Sequence, residues 1–119
     1  MAYYKWGHDF DAFSSDPSHL IGEAGVYVIW CRAGAEWRAL DVGESDNVKE
    51  SVEGHKRALC WRENCGGTLY YSAKYTGIMG VARREGIVAE IRKHENPVCG
   101  AGDDAAKGKA PRRGGEAEK

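Results

Sequence analysis

Three stretches between residues 25 and 75 carry the apolar patterning of β-strands. Residues 25–31 (GVYVIWC) are β-branched and aromatic almost throughout, which suits a strand covered on both faces. Residues 37–42 (WRALDV) follow after the small-residue link Ala33-Gly34-Ala35, so the two runs read as an antiparallel hairpin. A turn centred on Gly34 sets Tyr27 opposite Asp41, with both side chains leaving the sheet on one face. The third stretch, residues 68–75 (TLYYSAKY), alternates Leu69, Tyr71 and Ala73 against Tyr70, Ser72 and Lys74.

Helical spacing fills the gaps. Ser45 or Asp46 is placed to cap a helix that runs through Arg62, with Val48, Val52 and Leu59 as its apolar stripe and Ser51 and His55 sharing a face. A last helix is expected from about residue 79 to residue 94, turning Val81, Val88 and Ile91 inward, and Pro97 prevents its continuation. The order β-β-α-β-α predicts an α+β domain with a three-stranded antiparallel sheet flanked by helices. Upstream, Phe10 and Phe13 look like a patch over one side of the core, and Asp16-Pro17-Ser18 reads as the start of a short helix.

Composition narrows the class. A chain of 119 residues suits one domain, and the hydrophobic share of 42% supplies its core. No apolar run is long enough to span a bilayer and the first residues have no leader pattern, so the expected setting is a soluble, cytoplasmic protein without a membrane partner. Residues 101–119 have no aliphatic side chain larger than alanine and mix both signs of charge, which reads as a disordered tail; its Lys107, Lys109, Arg112 and Arg113 are candidates for a phosphate backbone. A net charge of −1 argues against a broad electrostatic grip on nucleic acid, so any such contact must be local. The four cysteines, Cys31, Cys60, Cys65 and Cys99, form no CxxC pair and are expected to be reduced thiols. A zinc site from His55, Cys60 and Cys65 is not expected, since it lacks a nearby fourth ligand.

Several short motifs now fall into order. Gly25-Val26-Tyr27 resembles a GIY tripeptide, Asp41-Val42-Gly43 stands where a YIG tripeptide belongs, His55 follows on the first helix, and Asn96-Pro97-Val98-Cys99-Gly100 resembles a closing proline segment. Over roughly residues 24–100 the chain thus resembles the GIY-YIG nuclease family, with residues 1–23 as an extension within a domain of residues 1–100. The resemblance implies a phosphodiesterase that cleaves DNA with Mg or Mn. In such an enzyme a tyrosine helps activate water, an arginine steadies the phosphate, a histidine orients the site and a glutamate holds the metal.

Carried onto this sequence, the resemblance gives Tyr27, Asp41 and His55 as catalytic candidates, with Asp41 in place of the second tyrosine and facing Tyr27. The arginine position is Ser51, and the glutamate position counted back from Pro97 is Val88. Glu85, one turn earlier, is the candidate metal ligand, and a different count gives Glu90. Lys56, Arg57, Arg83 and Arg84 are candidate phosphate contacts. Two lost groups point to a catalytically impaired, nucleic-acid-binding domain. The alternatives are an active endonuclease with a rearranged site and a protein-interaction domain that uses Tyr3, Tyr4 and Trp6, with a second copy of the chain among its candidate partners.

Overall fold

The apolar run at residue 25 becomes the strand around which the rest is built. The computed structural model describes residues 3–100, so the tail expected at residues 101–119 lies outside the described residues. In chain order the elements are β1 (Tyr3–Lys5), β2 (His8–Phe10), β3 (Ala12–Ser14), a single 3-10 turn (Pro17–His19), β4 (Gly25–Ala33) and β5 (Glu36–Ser45). Then follow α1 (Val48–Glu53), α2 (Ala58–Glu63), β6 (Thr68–Tyr75) and α3 (Val81–Glu95). The fold is α+β, and none of its helices is long and apolar enough to cross a membrane.

The expected three-stranded sheet is corrected to four strands in the order β3-β6-β4-β5, beside a separate two-stranded β1-β2 hairpin. The additional strand spans three residues, with Ala12 opposite Ala73 and Ser14 opposite Tyr71, too short a run to show alternation in the sequence. All neighbours in the sheet are antiparallel.

The hairpin register also differs from the expectation. Tyr27 pairs with Gly43, and Asp41 pairs with Ile29. Two effects add up. The turn falls between Gly34 and Ala35, with Ala33 opposite Glu36, and a bulge at Leu40 inserts one more residue between the Ile29–Asp41 and Trp30–Ala39 pairs. Gly34 supplies the left-handed φ of +64° that the turn needs.

The two sheet faces carry separate cores. Tyr27, Ile29, Leu40 and Ala73 pack with Val48, Val52 and Trp61 on the face covered by α1 and α2. Val26, Val28, Trp30 and Val42 pack with Ile87 and Ile91 of α3 and with Phe10 on the other. Tyr3 stacks on Phe10 and Trp6 stacks on Trp30, so both are absorbed into this second core, and of the three aromatics expected at the surface only Tyr4 is exposed.

The helix expected to reach Arg62 is broken in two. Asn47, rather than Ser45 or Asp46, caps α1 by accepting from the Glu50 N–H at 3.0 Å, and Gly54 ends it. At the break His55 Nδ1 accepts from the Arg57 N–H at 3.0 Å, a local bond that competes with helical pairing. The last helix runs close to its predicted bounds and stops at Asn96, which adopts a left-handed φ of 50° ahead of Pro97.

The expectation of reduced thiols is overturned, because all four cysteines are paired. Cys31 joins Cys65 across a Cα separation of 5.5 Å, and Cys60 joins Cys99 across 6.0 Å. Spacing gave no sign of this, because connectivity between distant cysteines is a property of the fold. The second bond holds the segment after α3 against the border of the sheet, where the Cys99 N–H donates to the Leu40 carbonyl at 2.8 Å.

Candidate functional site

Two polar groups, side by side, occupy the face under α1 and α2. The first is Tyr27 with His55, whose Oη and Nε2 atoms are 2.7 Å apart. Tyr27 reaches this position because Gly43 lies opposite it: a Cβ built on Gly43 would clash with the hydroxyl end of the phenol. Since His55 Nδ1 accepts the Arg57 N–H, the neutral ring carries its proton on Nε2 and donates it to the Tyr27 oxygen. The phenol is 4% exposed, and burial, reinforced by the negative charge of Asp41 and opposed by Arg57 and Arg92, pushes its pKa up to about 12. At neutral pH Tyr27 is therefore a neutral phenol, poorly suited to remove a proton from water.

The second group surrounds Asp41, whose side chain has no exposed surface. Arg57 donates to it from Nε at 2.7 Å and from Nη2 at 3.1 Å, Trp61 donates its indole N–H at 2.8 Å, and Arg92 Nη2 lies 3.5 Å away. Arg92 comes from α3 on the opposite face. It reaches past the border strand, donating to the Val42 carbonyl at 2.6 Å on the way. Gly100 closes the cluster, since a Cβ there would meet Asp41 Oδ1 at 2.8 Å and Arg92 Nη2 at 3.0 Å.

A buried carboxylate so fully engaged is a structural charge. Its oxygens are occupied by donors, which leaves it ill placed to accept a proton from Tyr27 or to hold a metal-bound water. The break between α1 and α2 is what turns Arg57 toward Asp41, so the cation missing at Ser51 is present nearby but neutralised from within. Ser51 itself bonds Ser45, with the two oxygens 2.5 Å apart.

The remaining sequence candidates are scattered. Arg84 is 4% exposed and donates to Glu44 at 2.8 Å, to Asp46 at 2.6 Å and to the Met79 carbonyl at 2.9 Å, so its interactions are internal. Lys56 is exposed between α1 and α2, and Arg83 is exposed on α3. Glu85 is exposed, Val88 packs against the second core, and Glu90 bonds His8 at 3.0 Å. Among the described residues no three His, Cys, Asp or Glu side chains gather as a metal site. Glu85 therefore belongs to no three-ligand protein cluster among the described residues, and Mg or Mn at this position would rest on its single carboxylate with water and a substrate phosphate.

Arg92 was not singled out in the sequence, although it lies two turns after Glu85 on the same side of α3 and is the cation of that helix that reaches the site. No family model matches the chain, and neither the curated proteins nor the solved structures contain a significant match to it.

Proposed function

We propose that this chain is a GIY-YIG-like domain that binds nucleic acid without cleaving it. The observation that carries this reading is the Asp41 cluster. A phosphodiesterase needs cationic side chains directed at the developing charge of the phosphate, and here both guanidiniums beside Tyr27 are directed at an internal carboxylate. Tyr27, with its pKa pushed up to about 12, stays protonated at neutral pH and has no free lone-pair base with which to take a proton from water. The strand and helix order of the family and the Tyr27–His55 contact support common ancestry in the frame. The paired cysteines favour an oxidising setting over the cytoplasm expected from sequence.

The test is a plasmid-nicking assay with Mn²⁺ or Mg²⁺ beside a fluorescence-anisotropy titration of labelled oligonucleotides, both on disulfide-intact protein. Binding without nicking is the expected result. The intact Tyr27–His55 contact favours one second reading, an active endonuclease with a rearranged site. Nicking that is abolished by Tyr27→Phe would establish that reading in place of the first.

A further inference from the structure

On the face away from Tyr27, a groove of about 390 Å³ runs between the β1-β2 hairpin, the end of β6 and the first turns of α3. Its lining is half apolar, from Met79, Ala82, Gly86 and Ile87, and half polar, from His8, Lys74, Arg83 and Glu90. The acid on the lining, Glu90, is bonded to His8 at 3.0 Å, so part of its charge is already met. Among the described residues, Lys74 Nζ has a long contact, 3.5 Å, to the Asp9 carbonyl. Arg83 is exposed, in contrast to its buried neighbour Arg84.

We propose that this groove is a binding site for a single nucleic-acid strand, with Lys74 and Arg83 taking backbone phosphates and one unpaired base resting on the apolar part of the lining at Met79, Gly86 and Ile87. The inference deepens the nucleic-acid reading above and rests on it, while placing the contact on the face opposite Tyr27. Size and charge select the occupant. The volume lies at the small end of the range for ligand sites, roughly 300–1,000 Å³, which admits one planar ring with its sugar and excludes a duplex. The apolar part of the lining rewards a base whose face is open, and a chain of net charge −1 has no wide cationic surface on which to lay a double helix.

Gly86 gives a test that leaves charge alone. A Cβ built there meets nothing within 4 Å, so Gly86→Leu is expected to put bulk into the open groove while the helix tolerates it, leucine being the better helix former. Anisotropy with a labelled eight-nucleotide oligothymidylate and the disulfide-intact chain is expected to show Gly86→Leu binding at least about tenfold more weakly than the parent. Arg83→Ala is expected to lower the salt slope of log K by about 0.7. Circular dichroism of both variants verifies their fold. Parent-like binding by both would overturn the groove and leave the nucleic-acid reading standing. A duplex of matched sequence that binds more tightly than the single strand would overturn the choice of occupant. No binding by the parent to either probe would overturn the reading and the groove together.

Discussion

The two faces of the sheet are held by different forces. Under α1 and α2, each only six residues long, the packing is reinforced by the Asp41 ion cluster and by both disulfides. Under the fifteen-residue α3 the interior is mainly rings and aliphatics, with Tyr3, Phe10, Trp6 and Trp30 in mutual contact, and its one buried ion group is Arg84 with Glu44 and Asp46 among the described residues. Short helices bury little apolar area, so the first face depends on directional and covalent links, while the second depends on area removed from water. A consequence is that brittleness is concentrated on the first side. Loss of one atom group strands charges at the centre of the first face, whereas on the second the buried charge of Arg84 sits apart from the ring cluster, which can repack around a shortened ring.

The largest expected effect follows from that difference. Asp41→Ala leaves two guanidiniums and an indole N–H beside a void, and should lower stability by about 3–5 kcal/mol. Chemical denaturation gives the measurement, and a loss below about 1 kcal/mol would show that the cluster is not an integral part of the first face. Next is the Cys60–Cys99 bond, which closes a separation of 39 residues; Cys60→Ser with Cys99→Ser should cost about 2–4 kcal/mol in the same assay.

A smaller effect compares the faces directly. Tyr27 on the first face and Tyr3 on the second both have pKa values pushed up to about 12, chiefly by burial. Because each folded pKa lies above the unfolded value near 10, the native state keeps a proton that the unfolded chain has lost. Stability is therefore full below about pH 10 and falls as pH rises toward 12, by about 1.4 kcal/mol per unit for each tyrosine. Tyr71 and Tyr75 are raised too, so Tyr27→Phe or Tyr3→Phe should each remove up to about 1.4 kcal/mol per pH unit from that alkaline slope rather than abolish it, and an unchanged slope in either variant would show that its hydroxyl ionises freely in the fold. Least of all, the exposed Lys49–Glu53 pair at 3.2 Å should contribute no more than about 0.5 kcal/mol, and Lys49→Ala at two salt concentrations would reveal a larger role.

Much of the second face and little of the first could be read from the sequence. β4, β6 and α3 announce themselves through length and periodicity, and the bounds of α3 are close to those its stop signals imply. Tyr27 lies in contact with His55, whereas the hairpin pattern sets it facing Asp41. The local pattern does not carry the bulge at Leu40, which moves Asp41 out of line with Tyr27. Nor does it carry the helix break at Gly54–Arg57: Val48, Val52 and Leu59 suggest one helical stripe, but Gly54 ends α1, the Arg57 N–H turns to His55 Nδ1, and Leu59 is left exposed, while the reach of Arg57 to a carboxylate two elements away is set by the fold. Arg92 escaped for the same reason, since its importance lies in passing the sheet border to reach the opposite face.

That border has a further meaning for how copies of the chain meet. At one side the sheet ends in β3, only three residues long, which offers almost nothing to pair with. At the other it ends in the ten-residue β5, whose outward carbonyls at Leu40 and Val42 are already taken by the Cys99 N–H and by Arg92. A bare strand of that length is a template for intermolecular β-pairing and fibrillar growth. The Cys60–Cys99 bond holds Cys99 against Leu40, so reduction is expected to uncover that stretch of β5, and light scattering of a reduced sample, read beside its circular dichroism, should show association before loss of fold.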